Sequence, residues 1–376
     1  MKTYNLFCAL LALAIIGCTK SDDGSNPTDN NKGVKASYSL ILNNKGTLSG
    51  LDLLVQGEEL SVSETESSFE VAEEPQLRFQ GDGVLGLYYT RGDCRGEITV
   101  HDFNEGRAHT YSVFDDLEPC GLTANSILTT ATEIYIAYET EVSPKKKKYY
   151  VRVLDATSDE NGGIDVLLDE KPLQMAFANK RLFVLTLDED DTGKNGLAVI
   201  DSNTKAVIHS EVLSTGARTI FTGGEGNIIV GYDGLHLTID GTTLAITSTM
   251  YQEGSEPNFA QALTKTFDDS GKMYYDMIAD NHSVYPVISA VYDFSNNAAV
   301  LYAYENFLTE TQRKFEYAIE STTMVSFDEN NNYILIGYKK TGSSDKGGLL
   351  RIKPAPDPKL IDNLDTEGVP YAIFID

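Results

Sequence analysis

"PLQMAFANKRLFVLTLDEDDTGKNGLAVIDSNTKAVIHSEVL", residues 172–213, decides how the rest of this 376-residue chain is read. Four runs rich in β-branched and aromatic residues, Leu173 to Ala178, Arg181 to Leu187, Gly196 to Asp201 and Ala206 to Leu213, are punctuated by Asn179, Gly193 and Asn203. Such runs suit a pleated, packed surface, and Gly and Asn supply the backbone freedom that short turns need. The stretch predicts one antiparallel unit of four strands.

Its second half, "GLAVIDSNTKAVIHSEV", resembles the YVTN-type repeat of β-propellers, in which a strand ending in Asp turns tightly into the next. Its first half recurs as a strand, a polar turn and a second strand ending near a tyrosine. The copies are "PQLRFQGDGVLGLYYTR" (75–91), "SILTTATEIYIAYE" (126–139), "RTIFTGGEGNIIVGYDG" (218–234) and "TMVSFDENNNYILIGYKK" (323–340). Their starts lie about 45 to 50 residues apart, with one gap about twice as long, and a four-stranded repeat of that period is a propeller blade. The long gap, 235–322, contains "KMYYDMIADN" and "VISAVYDFSNNAAVLYAYE", enough strand for the rest of one blade and all of another.

The two ends of the repeat region complement each other. "GVPYAIFID" at the C-terminus matches a first strand and "ASYSLILNN" (36–44) a second, so the last strand is expected to complete the first blade and close the ring without an open edge. The expected fold class is therefore all-β, a β-propeller of seven blades over residues 36–376. Splitting off 286–320 would give eight, and regular short strands alone are also compatible with a β-sandwich. Tyr88, Tyr138, Tyr232 and Tyr338 on the second strands read as core with anchored hydroxyls.

Ahead of the repeats, Lys2 and the apolar run Leu6 to Ile16 have the charge and length of a secretory signal, too short for a permanent membrane span. Ile15-Ile16-Gly17-Cys18 resembles the lipobox of bacterial lipoproteins, which implies that 1–17 is removed and Cys18 is diacylated, anchoring the chain in outer-membrane lipid. Thr19-Lys20-Ser21-Asp22-Asp23 is similar to the export signal that sends Bacteroidota lipoproteins to the outer face of the outer membrane. Residues 18–35 then read as a lipidated, polar tether.

The 56 acidic residues outnumber the 30 basic ones, and the net charge is -26, which argues against nucleic acid as a partner. Once Cys8 leaves with the signal and Cys18 carries lipid, Cys94 and Cys120 remain as an even pair in an exported chain, which favours a disulfide. In a propeller, the loop between second and third strands and the connection between blades emerge on the same face. Cys94 in "TRGDCRGE" and Cys120 in "DLEPCGLT" fall on that face at neighbouring positions. The same face collects "ETEVSPKKKKYY" (139–150), "LDEDDTGKNG" (187–196), "ADNHSVYP" (279–286) and "KKTGSSDKGG" (339–348). Candidate binding residues there are Lys145, Lys146, Lys147 and Lys148 with Tyr149, then Asp188, Asp190 and Asp191, and finally His282 and Tyr285. The lysine run also reads as a solvated hairpin tip, and the aspartates, which lack the glutamate of a helix-loop-helix calcium site, as a solvated acidic loop.

No catalytic signature is found. The five histidines are scattered, and "GDGVLG" and "GGEGN" are hairpin turns followed by strands, not phosphate loops. No cofactor or metal is expected. The lipobox, the export signal and the blades together resemble Bacteroidota propeller lipoproteins that serve TonB-dependent transporters. That resemblance implies a non-enzymatic surface subunit of an outer-membrane β-barrel, capturing a small-molecule ligand. Alternatives are a scaffold subunit of an outer-membrane assembly or secretion complex, and a propeller lyase or glycosidase.

Overall fold

The computed structural model describes residues 37–375 except 57, 66, 82, 119, 144–145, 159–161, 190–191 and 280–282. The expected signal, Cys18, the expected tether, Lys145, Asp190, Asp191 and His282 lie outside the described residues.

Seven antiparallel sheets follow one another around a ring, each counted here from its inner to its outer strand. Blade 4 comprises Lys171–Ala178, Arg181–Leu187, Asn195–Asp201 and Ala206–Val212, within a residue or two of the limits expected from its turns. Blade 2 is Leu77–Gly81, Val84–Thr90, Gly96–Asp102 and Arg107–Ser112. Blade 3 is Leu122–Thr129, Glu133–Ser143, Lys146–Asp155 and Ile164–Leu168. Blade 5 is Thr219–Thr222, Ile228–Gly231, Leu235–Ile239 and Ile246–Met250. Blade 6 is Lys265–Phe267, Met273–Ile278, Val287–Asp293 and Ala298–Tyr302. Blade 7 is Ile319–Asp328, Tyr333–Lys340, Gly347–Lys353 and Lys359–Thr366. The eight-blade alternative is excluded, because strands within 286–320 are the third and fourth of blade 6 and short helical turns follow them.

Blade 1 is made from both ends of the chain. Val369–Ile375 is its inner strand and pairs with Tyr38–Asn44, placing Ile375 opposite Tyr38 and Ala372 opposite Ile41. Thr47–Gln56 and Glu59–Val62 complete it, with Glu70–Val71 as a short addition. The Tyr38 hydroxyl donates to the buried Asp328 carboxylate of blade 7, so the joint is tied to its neighbour as well.

Apolar side chains on both faces of each blade pack against the next blade. This is why the middle strands read as nearly continuous hydrophobic runs instead of alternating ones. In blade 4 the interior of Arg181–Leu187 is buried without a break, whereas the outer strand Ala206–Val212 is almost wholly exposed. Tyr135, Val151, Leu182 and Ile200 form the wedge between blades 3 and 4, and Phe183, Val199, Ile220 and Val230 the wedge between blades 4 and 5. Of the four tyrosines expected in the core, Tyr88, Tyr138 and Tyr338 are buried and Tyr232 is only half-buried, and the Tyr338 hydroxyl donates to Asn363 at 2.8 Å. Only glycine fits beneath that ring, since a Cβ on Gly348 would lie 2.3 Å from the Tyr338 oxygen.

Two buried arginines bind the outer strands to the third strands of their blades. Arg351 makes two bonds to Asp362, at 2.8 and 2.6 Å, and donates to the Glu58 carbonyl of blade 1. Arg152 holds Asp165 in the corresponding way in blade 3 and also pairs with Asp116.

Candidate functional site

The two faces of the ring are built differently. One, the turn face, contains the turns joining first to second and third to fourth strands. In blades 2 to 6 the third strand ends at or beside an aspartate whose carboxylate accepts backbone N–H groups two or three residues on. These are Asp102, Asp155, Asp201, Asp240 and Asp293. The hydrogen bonds hold Asp155, Asp201, Asp240 and Asp293 below the usual carboxylate range.

The opposite loop face has the second-to-third-strand loops and the blade connections. Cys94 and Cys120 form a disulfide there, with Cα atoms 5.2 Å apart, linking the loop inside blade 2 to the connection into blade 3. Beside it, Lys147 donates to Glu139 at 2.6 Å, and Lys171 lies 3.6 Å from Glu139 and 2.7 Å from Glu189. This row of alternating charges ties the blade 3 hairpin to the start of blade 4. The Glu139 carboxylate beside it raises Lys147, and Glu189 does the same for Lys171.

The residues expected to form a binding surface therefore have unequal roles. Lys146 and Lys148 are exposed, and Lys147 is exposed but paired. Tyr149 is buried against the blade 3–blade 4 wedge, because alternate residues of a long hairpin point to opposite faces. Tyr285 is likewise buried, edge-on to Tyr304 with ring centres 4.9 Å apart. Both tyrosines serve packing rather than an open surface. Asp188 accepts from the N–H and hydroxyl of Thr192 and so shapes its own loop. Among the described residues, no group of three or more His, Cys, Asp or Glu side chains is arranged to hold a metal ion. His101 and His236 are packed among aromatic rings; burial lowers both, His236 to about 4.

At the axis of the loop face lies a feature that sequence reading does not reveal. Arg78, on the inner strand of blade 2, reaches across the ring and donates to the Leu263 carbonyl ahead of blade 6 at 3.4 Å. Its guanidinium lies 4.6 Å from the ring centre of Tyr371 in blade 1. Lys265, at the start of the blade 6 inner strand, donates to the adjacent Ala262 carbonyl at 2.7 Å and stands 5.3 Å from the centre of the Phe221 ring. Burial pulls Lys265 down to about 8; Asp276 acts in the opposite direction, and the charge of Arg78 adds to the fall.

Strand irregularities shape this mouth. Tyr371, Asn125, Leu173 and Thr323 are the extra residues of bulges in the inner strands of blades 1, 3, 4 and 7. A bulge bends its strand and re-aims side chains.

No protein-family model and no curated protein matches the chain. Among solved structures it is similar to a hypothetical selenium-binding protein from Sulfolobus tokodaii, with TM-score 0.53 and 13% identity over 92% of this chain and 94% of that one. It is also similar to apo AztD from Citrobacter koseri, with TM-score 0.50 and 12% identity over 90% and 85%. A puromycin hydrolase gives TM-score 0.50 and 11% identity over 89% of this chain but 54% of that one, so the chain spans about half of that protein. At such identities the likeness is one of fold, and the fold is the seven-bladed β-propeller.

Proposed function

We propose that this chain is a non-catalytic binding propeller, anchored through Cys18 in the outer membrane. In this reading it works as the ligand-capturing accessory subunit of a β-barrel, a TonB-dependent nutrient transporter being the leading case. The lipobox-like and export-like motifs around Cys18 support that location. The observation that carries the binding role is the loop face itself: braced by the Cys94–Cys120 disulfide and the Lys147–Glu139–Lys171–Glu189 row, it gathers two cations and two aromatic rings from the inner strands. Function concentrates where loops are held by a rigid scaffold.

A second reading, a scaffold subunit of an outer-membrane assembly or secretion complex, is favoured by apolar side chains on the same face. Val142, Leu263, Val284 and Phe315 stand in four separate loops or hairpin ends, with Val284 77% and Phe315 78% exposed. Exposed apolar tips suit a protein partner.

Co-purification of the lipidated chain in mild detergent, followed by mass spectrometry, separates these readings. Recovery with one TonB-dependent transporter supports capture, and recovery with assembly or secretion components supports the scaffold. Recovery without any membrane partner overturns both.

A further inference from the structure

We propose that the axial mouth of the loop face binds a small organic anion, a carboxylate or phosphate ester joined to a planar or apolar body, between Arg78, Lys265, Phe221 and Tyr371. The inference deepens the capture reading by naming a ligand class, and it rests on that reading only for its biological use.

In a chain with nearly two acidic residues for each basic one, cations that reach the interior are normally neutralised, as Arg152 and Arg351 are by Asp165 and Asp362. Arg78 and Lys265 come from opposite sides of the ring onto consecutive carbonyls, those of Leu263 and Ala262, yet neither makes an ion pair among the described residues. Asp276, the buried carboxylate that acts on Lys265, is taken up by the N–H of Leu263 and by the N–H and hydroxyl of Thr264, at 3.1, 2.6 and 2.7 Å. It fixes the approach to blade 6, and its single negative charge, which acts on Lys265, leaves one of the two like charges without a counter-charge among the described residues. Holding them together in a partly desolvated place is unfavourable unless a negative group joins them.

The donor inventory agrees. A guanidinium has five N–H donors and an ammonium three, while the two carbonyls occupy one of each. On the bulged inner strands of blades 3 and 7, the Asn125 amide nitrogen and the Thr323 hydroxyl are buried without a hydrogen-bond partner. Phe221 and Tyr371 add apolar faces, so the opening suits an anion with a ring or hydrocarbon body better than a bare inorganic ion.

Phenyl phosphate is a suitable probe, with inorganic phosphate and phenol as controls, all at fixed ionic strength. In the purified full chain with ¹³C-methylated lysines, the Lys265 resonance is expected to titrate well below the other lysines. Phenyl phosphate should raise its midpoint by about one pH unit, equivalent to roughly tenfold tighter binding to the ammonium form. Arg78→Gln and Lys265→Met should each weaken phenyl phosphate binding by about tenfold or more. An unmoved Lys265 midpoint, or equal binding by wild type and both variants, overturns the proposal. If a variant fails to fold, the wild-type titration decides alone. Failure here leaves the barrel partner standing, just as a missing barrel partner would leave the anion site standing.

Discussion

The turn face and the loop face contain equivalent connections of the same blades, yet one repeats a single solution and the other never repeats itself. On the turn face, five blades use an aspartate to gather the same backbone N–H groups. On the loop face the connections range from a disulfide-linked pair to the helical insertions Tyr304–Asn306 and Gln312–Glu316. The difference teaches that this sequence spends its regularity on closing turns at fixed geometry and its variety on the side where an opening is lined.

The comparison can be tested most severely at its anchors. Arg351 holds the ring joint from the turn face, through the Glu58 carbonyl and Asp362. Arg351→Ala strands a partly buried carboxylate, and chemical denaturation should show a loss of about 3–5 kcal/mol. A loss under about 1 kcal/mol would mean that this pair is not what holds the joint. The corresponding loop-face anchor is the disulfide. Cys94→Ser should cost about 2–4 kcal/mol, with amide exchange rising in the loops of blades 2 and 3 and unchanged at the aspartate turns.

Acidification should affect the regions in sequence. His236 is buried in its neutral form and held at about 4, while the unfolded chain takes up its proton near the ordinary value of about 6.5. Its contribution is complete above about pH 6.5 and declines as the pH falls toward about 4, because the unfolded state binds the proton first. His236→Phe should flatten that part of the stability curve. The turn-face aspartates have depressed values, so their contribution is present above the ordinary carboxylate range and disappears only as the pH falls below it. A stability curve that drops only in the lower window would show that His236 is not the first group to act.

Single loop residues should matter least. Asp201→Ala removes three bonds from a turn inside a blade and should lower Tm visibly, whereas Lys147→Met, at an exposed pair, should leave Tm within error. Equal effects at the two sites would dissolve the contrast between the faces.

What the sequence makes legible follows the same division. The blade period, the matching ends and the shared face of Cys94 and Cys120 come from strands that recur, and the structure has all three. The aspartate at the end of the third strand is visible in "GLAVIDSNTK" and returns around the ring. Arg78 and Lys265 are not legible as a pair, because each is one cation in an ordinary short strand and only closure of the ring brings Arg78 to the carbonyl next to the one that Lys265 bonds within its own segment. Lys265–Phe267 is too short to show a period at all. Tyr149 and Tyr285 mislead for a related reason: a loop stretch rich in polar residues still sends particular side chains inward.

The pairing of Val369–Ile375 with Tyr38–Asn44 also constrains how the molecule is made. The contact with the greatest sequence separation is the one that removes the last free sheet edge at the joint, so a ribosome still holding the final strand holds an open ring. Blades 2 to 7 can assemble in chain order, but blade 1 must wait. A chain shortened by its last strand would lack more than a fragment of one blade: it would offer Tyr38–Asn44 as a template to any neighbour, turning a missing segment into a route to chain-to-chain association.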